Sequence, residues 1–548
     1  MRAQAPTLSC NGWTIGAPIA PGDASDNVLP SKMPQTLQPS AFPHLLAAID
    51  MGSNSFRLEI AELSKGRYKR VDYLKETVRL GAGLDAHGML TEEATQRGLT
   101  CLARFAQRLK GFAPWQVRAV ATQTLREARN RDAFLQRGNR VLGVPIEVIA
   151  GREEARLIYQ GVSRLQPSEL PRLVIDIGGR STEMILGQGS QSQRAESFGV
   201  GSVSLSIQHF PGGRFTADAF RSAQIAAGAE LEEALTLFQR HQWEEALGSS
   251  GTVGAVSQIL SANGITDGSI TPEGLRWCIE RCIEAGSDQL LNLPGLKPER
   301  KAVLGGGLSI LYTLTQHFDI EALRPAKGAL RQGVIFDLEE RVEAARNHRL
   351  PDPRDVSVRE LQQRFRVDAA HAERVRQRAL SLWDSLQEPD ASPDGEDVRE
   401  LGWASALHEM GMMVSHHDHH RHSAYLLGHV DASGFSQSQL RKLSSLVLGQ
   451  RGDLMKLAEH LHNPALMSQV MCLRLAIILH HARIELPAKV VTLGAARSAT
   501  RNGQTVRVSR LQLAARWAEQ HPRTLHLLEE ESRRWAAQGS RLLDIRIV

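Results

Sequence analysis

LAAIDMGSNSFRLEI (46–60) and LVIDIGGRSTEMIL (173–186) share one layout. An apolar run ends in Asp, one apolar residue and Gly follow, and a small turn leads into a second apolar run. Asp50 aligns with Asp176, Gly52 with Gly178 and Ser55 with Ser181, 126 positions apart. Each copy reads as a hairpin of buried strand, tight glycine turn and second strand. The repetition predicts a duplicated α/β domain whose two turns face one cleft. A strand ending in Asp-x-Gly-small-x-Ser exposes consecutive backbone N–H groups with little steric cover, and such a nest holds phosphate oxygens. Gly52, Ser53, Asn54 and Ser55 form the first expected cradle, and Gly178, Gly179, Arg180 and Ser181 the second. Asp50 and Asp176 offer hard oxygen donors for Mg²⁺ beside them.

Outward from the hairpins, Thr91–Leu109 has helical periodicity opened by a Thr-Glu-Glu start. Val117–Thr122 and Ile146–Ile149 read as short strands, and Phe215–Phe238 as helical. LGGGLSIL (304–311) reads as a small-residue turn. Composition shifts near 340: residues 341–378 hold ten Arg against six acids, and PDPRD (351–355) and PDASPDGED (389–397) read as a linker and a polar break. The Arg-rich stretch suits either a solvated face or a guide for a polyanion. Residues 400–480 are helical and rich in His; from about 485 the chain reads as strands followed by a terminal helix around Leu511–Trp535.

A chain of 548 residues exceeds one hydrophobic core, so several domains are expected. The division is 1–43 disordered extension, 44–157 and 158–338 the two halves of the duplicated core, 339–482 helical, and 483–548 a small α+β unit. A net charge of +5 suits an anionic ligand, while 5% aromatic residues argue against a stacking surface for single-stranded nucleic acid. Five cysteines without framework spacing read as buried thiols in a reducing, cytoplasmic setting. No stretch reaches the ~18–20 apolar residues of a membrane span, which leaves peripheral membrane contact open.

DMGSNSFRL, ATQTLREARN (121–130), IAGREEARLIYQGV (149–162), DIGGRSTE (176–183) and FGVGSVSL (198–205) together resemble the exopolyphosphatase / guanosine pentaphosphatase family. SSGTVGAV (249–256), KGALRQGVIFD (327–337), ALHEMG (406–411) and HRHSAYLL (420–427) extend the resemblance to the whole of 44–548. It implies an acetate kinase/sugar kinase/Hsp70/actin core, followed by an all-α HD-like domain and a small α+β domain. It implies Glu154 as catalytic base, Glu183 as a second essential carboxylate assisting metal or water, and Arg126 as a phosphate-binding arginine. Arg180 stands where many members carry Gly or Ala, so it adds a phosphate contact or points to solvent. Mg²⁺, with K⁺ as an accompanying ion, is the implied cofactor, and a homodimer the implied assembly.

The implied activity is processive release of orthophosphate from inorganic polyphosphate. The nearest alternative is removal of the 5′-γ-phosphate of guanosine pentaphosphate; a kinase of the same fold and a non-catalytic alarmone sensor stand behind it. His371, His408 and the run His416–His422 are similar to an HD-type phosphohydrolase. Here, however, His408 is followed by Glu409, and Gln450 stands where relatives carry His. The altered ligands predict a structural role for this region rather than a metal site.

Overall fold

The computed structural model describes residues 41–64, 67–346, 352–386, 395–487, 490–501, 504–539 and 541–548. Most of the expected N-terminal extension, residues 1–40, lies outside this set. So do residue 351 and residues 389–394 of the two expected breaks.

Both predicted hairpins form. β1 (Leu45–Met51) pairs antiparallel with β2 (Phe56–Ser64), placing Asp50 opposite Arg57. β6 (Arg172–Ile177) pairs in the same way with β7 (Thr182–Gln188), placing Asp176 opposite Glu183. β3 (Arg67–Glu76), β4 (Val117–Ala121) and β5 (Ile146–Val148) complete a sheet of order β3-β2-β1-β4-β5. β8 (Gln191–Phe198), β9 (Glu245–Ser249) and β10 (Leu323–Pro325) complete the second, of order β8-β7-β6-β9-β10. In each, the first strand is antiparallel to its hairpin partner and parallel to the strand on its other side. This doubled order is the actin-like architecture.

Period-two alternation sorts the apolar side chains between cores, because successive residues of a strand point to opposite faces. Ala47, Ile49 and Met51 of β1 enter a core confined to the first sheet and its helices. Leu46 and Ala48 enter a different one, shared with Val174 of β6, Ile185 of β7 and Leu247 of β9. Two helices, Gly151–Leu165 and Leu330–Arg346, pack into that shared core through Leu157, Ile158, Val162, Val334 and Ile335. They cross so closely that backbone meets backbone. A Cβ built on Gly161 would overlap the Ala329 carbonyl, and one on Gly333 would overlap the Leu157 carbonyl.

LGGGLSIL is not a turn but the middle of the helix Lys301–His317. A glycine in a helix interior costs about 1 kcal/mol relative to Ala, yet these glycines are required by packing. A Cβ on Gly306 would lie 2.5 Å from the Ser202 carbonyl, and the Gly306 N–H donates to Ser206 Oγ at 3.0 Å. PDPRD is likewise no linker over its described residues. Asp352 caps the helix Pro353–Arg364, and buried Arg354 pairs with Asp352 at 2.9 Å and with Glu396, its guanidinium 4.3 Å from the Trp403 ring centre.

The helical region and the sheet of β11 (Val491–Arg501), β12 (Gln504–Leu513) and β13 (Arg541–Ile547) share one core, from Val358 to Leu543. Within it, Arg474 is buried on the apolar helix Pro464–Leu479 and pairs with Glu531 at 2.5 Å. The chain ends on a strand, not on the expected helix: Leu511 and Leu513 belong to β12, the helix is Pro522–Gln538, and β13 returns parallel to β12. No described helix is long and apolar enough to cross a membrane. Cys101, Cys278, Cys282 and Cys472 are buried free thiols.

Replacing Gly161 by Val forces a branched side chain into the helix crossing, where overpacking costs about 1–3 kcal/mol. Urea unfolding of Gly161→Val should show a lowered midpoint, and a midpoint equal to wild type would refute the close-crossing argument.

Candidate active site

Both glycine turns, Glu154 and the segment Ala326–Gln332 line one cleft of about 390 Å³. The turns touch: a Cβ on Gly179 would lie 3.2 Å from Ser53 Cβ and 3.7 Å from the Asn54 nitrogen. The first turn is pinned from outside by Gly81 N–H to the Ser53 carbonyl (2.8 Å) and Arg79 N–H to the Asn54 carbonyl (2.9 Å). These bonds use carbonyls and leave the turn's own amides free. Among the described residues, the N–H groups of Ser53, Asn54, Gly179 and Arg180 donate to no protein acceptor, and the buried Ser55 hydroxyl has no partner. Free donors converging from two strand ends form an anion cradle.

Glu154 sits in the first turn of the Gly151–Leu165 helix, which the glycine crossing holds against the cleft floor. Its neighbour Glu153 is spent on structure, binding Arg156 at 2.7 Å and accepting the Gly434 N–H at 2.8 Å. Glu154 has one fixed partner, the Arg126 guanidinium at 2.8 Å, which also donates to the Ile149 carbonyl at 2.9 Å. Arg126 therefore orients Glu154 and does not itself line the cleft. Burial raises the Glu154 carboxyl to about 7 although Arg126 pulls it down; Asp176 and Asp50 add to the rise.

Asp176 lines the cleft floor, and burial, with Asp50 nearby, raises its carboxyl as well. Glu183 is fully buried beyond the cleft lining. Ser197 Oγ donates to its Oε1 at 2.8 Å, Oε2 has no partner, and burial followed by the charges of Glu154 and Asp176 raises it well above the carboxylate range. Asp50 differs, since its Oδ2 is shared by Arg57 at 3.2 Å and Arg331 at 3.3 Å. Of the expected metal ligands, Asp176 and Glu183 carry unneutralised carboxylate oxygen, the donor set a hard divalent cation takes. Asp50 already faces two guanidinium groups. Arg180 turns to Glu127 at 2.7 Å rather than into the cleft.

Residues 59–342 match the Ppx/GppA phosphatase family, and residues 354–532 match domain III of the same phosphatases. The chain belongs to the Ppx/GppA phosphatase family. Among solved structures, an exopolyphosphatase-like protein is 26% identical over 54% of this chain and 97% of its own, with a TM-score of 0.48. An exopolyphosphatase from Cytophaga hutchinsonii is 24% identical over 54% and 98%, TM-score 0.49. The Ppx/GppA enzyme of Aquifex aeolicus is 24% identical over 53% and 98%, TM-score 0.46.

The cleft of this Ppx/GppA phosphatase also contains residues that sequence reasoning passed over. Ser250, at φ 102°, opens the helix Ser250–Ala262 in a conformation that is strained for any residue but Gly. Its hydroxyl accepts the N–H groups of Thr252 and Val253, and the quoted SSGTVGAV motif was the available signal. Lys75, Arg300 and Arg331 come from three separate elements, and nothing local marks them. The Arg-rich stretch 341–378 is divided among its described residues: Arg359, Arg364 and Arg366 are exposed and form no ion pair within 4.0 Å, while others are engaged. Arg341 binds Asp337 at 2.6 Å and the Gly434 carbonyl, Arg354 and Arg376 are ion-paired, and Arg378 reaches the Leu486 carbonyl.

A carboxyl held near 7 takes up its proton as pH falls through neutrality. Infrared difference spectra should show an added protonated-carboxyl band below about 7, absent in Glu154→Gln. Arg126→Gln removes the attraction that lowers this group, so the band's onset should move to higher pH; a shift to lower pH would contradict the assignment.

Proposed function

We propose that this phosphatase is an exopolyphosphatase, which hydrolyses the terminal phosphoanhydride of inorganic polyphosphate and releases orthophosphate. The observation that carries this reading is a crowd of cations on one arm of the cleft. Burial, then Arg300 and Arg57, push the Lys75 ammonium below the lysine range; burial, then Arg57, lowers Arg300. Neither Lys75 nor Arg300 forms an ion pair within 4.0 Å among the described residues. Like charges gathered in a partly buried site are costly unless a polyanion joins them. Tyr73 is the one aromatic residue in the lining, and the guanidinium groups of Arg331 and Arg70 already stand 5.4 and 5.5 Å from its ring centre. That arrangement favours a run of phosphates over a stacked guanine base.

In the proposed reaction the terminal phosphoryl group rests on the free amides of the two turns. Glu154, held by Arg126, orients a water and takes its proton as the water oxygen bonds to phosphorus. The bridging P–O bond breaks, and the shortened chain leaves toward the cationic arm. Phosphoryl transfer asks chiefly for positioning and charge neutralisation. Mg²⁺ at Asp176 and Glu183 would supply neutralisation of the phosphate oxygens when bound.

Phosphate release from long-chain polyphosphate should exceed release from guanosine pentaphosphate; the reverse order would sink the substrate assignment. Glu154→Gln should lower kcat by roughly 10²–10⁴-fold with binding retained. For wild type, kcat/KM should rise through about pH 7 as Glu154 deprotonates. Lys75→Ala and Arg300→Ala should raise KM for polyphosphate with little change in kcat, and flatten its dependence on salt.

A further inference from the structure

Away from the cleft, His371, His408 and Glu409 bring three ligand atoms within 4.8 Å of one another. They arrive from separate elements: His371 from the helix Ala369–Leu386, His408 from the end of Glu396–Leu407, and Glu409 from the tight turn that follows. All three are buried, at 3%, 1% and 7% exposure. We propose that they form a binding site for a first-row transition-metal dication of the Zn²⁺ class.

The orientation of the rings supports this. His408 Nδ1 lies 2.7 Å from the Ser405 carbonyl, a bond only an N–H can make, so Nε2 carries the lone pair. A backbone carbonyl that fixes the tautomer in this way is the usual outer partner of a metal-bound imidazole. His371 Nε2 lies 3.9 Å from Glu409 Oε1, and the two imidazole centres are 5.7 Å apart. His371 Nδ1 is buried without a partner. Gln450, whose Nε2 donates to the His408 carbonyl at 3.0 Å, leaves its Oε1 buried and unpartnered as well. Buried polar atoms are nearly always satisfied, and these two unpartnered ones belong to side chains that neighbour His408. Burial also keeps His408 neutral, at about 4.

Two imidazole nitrogens and one carboxylate suit Zn²⁺, Co²⁺ or Fe²⁺ and are poor ligands for Mg²⁺. The site is thus chemically distinct from the all-oxygen carboxylates of the cleft, and it does not depend on the polyphosphate reading. One group competes with the ion. Arg483, at φ 57°, spans Glu409 at 2.6 Å and Asp368 at 2.9 Å. A dication must share Glu409 with that guanidinium or displace it, so Arg483 weakens the site it borders.

Co²⁺ tests this, because its visible d–d bands report ligand type without reference to activity. Chelator-stripped full-length protein should bind one equivalent of Co²⁺ with intense visible bands that added Zn²⁺ abolishes. His408→Ala should lose the bands, and Glu409→Gln should weaken binding at least tenfold. Arg483→Gln should tighten binding at least tenfold. His416→Ala/His417→Ala, at exposed positions, should leave the bands intact. Circular dichroism checks the fold of each variant, and the wild-type titration stands on its own. The proposal is overturned by wild-type protein without such bands, or by bands lost with His416 and His417 rather than His408. Binding confined to Arg483→Gln would overturn it too, since the guanidinium would then hold the cation's place.

Discussion

The contact on which this structure most depends is the crossing of the Gly151–Leu165 and Leu330–Arg346 helices. Gly161, Gly328 and Gly333 remove every Cβ that would separate the two backbones. Close approach lets both helices fit into the core between the sheets, where Ala48 and Val174 reach them from opposite sides. The same approach brings the start of one helix, with Glu154, and the start of the other, with Arg331, to a single cleft. A larger separation would part the Glu154 carboxylate from the free amides of the two turns.

Electrostatics then divides the work between adjacent residues. Glu153 and Asp337 lie in a buried lattice with Arg118, Arg156 and Arg341, which ties the central helices to Gly434 in the helical region. One position on, Glu154 has a single fixed cation, Arg126, and burial together with the neighbouring carboxylates Asp176, Asp50 and Glu183 makes it keep its proton up to about 7. Burial and mutual repulsion act on the acids on one side of the cleft, and on Lys75 and Arg300 beside Arg57 on the other, and neither Lys75 nor Arg300 has an ion pair within 4.0 Å among the described residues. On the proposed reading, a phosphate chain with a divalent cation would relieve the two strains together, since each supplies the charge that one side lacks.

The helical region follows the same logic in a different chemistry. Its histidines fall into two groups, exposed ones such as His416 and His417, and a buried set around His408. Burial keeps the second set neutral and therefore available as donors, whereas the first remains solvated surface.

The sequence by itself determined the two hairpins, their aspartates and their parallel placement in a doubled fold. Strand alternation and the Asp-x-Gly turn are local codes, readable wherever the run of residues is intact. It also marked Glu154 and Glu183, although only through the motifs around them; nothing in the string separates Glu153 from Glu154, because both open a helix equally well. LGGGLSIL was misread, since glycine propensity argues for a turn and only the backbone of Ser202 explains a helix there. β13 was missed because a short, charged strand becomes a strand by pairing with β12. The Arg-rich stretch suits either a solvated face or a polyanion guide, and contacts both near and far engage part of it: Arg341 pairs with Asp337 one helical turn away, and Arg354 with adjacent Asp352 and with Glu396, which only the fold brings close. Tertiary structure alone decided which cations stay unpaired, that Arg126 serves Glu154, and that His371 meets His408 and Glu409. Each of these is a contact between residues far apart in sequence, where no local pattern records the distance.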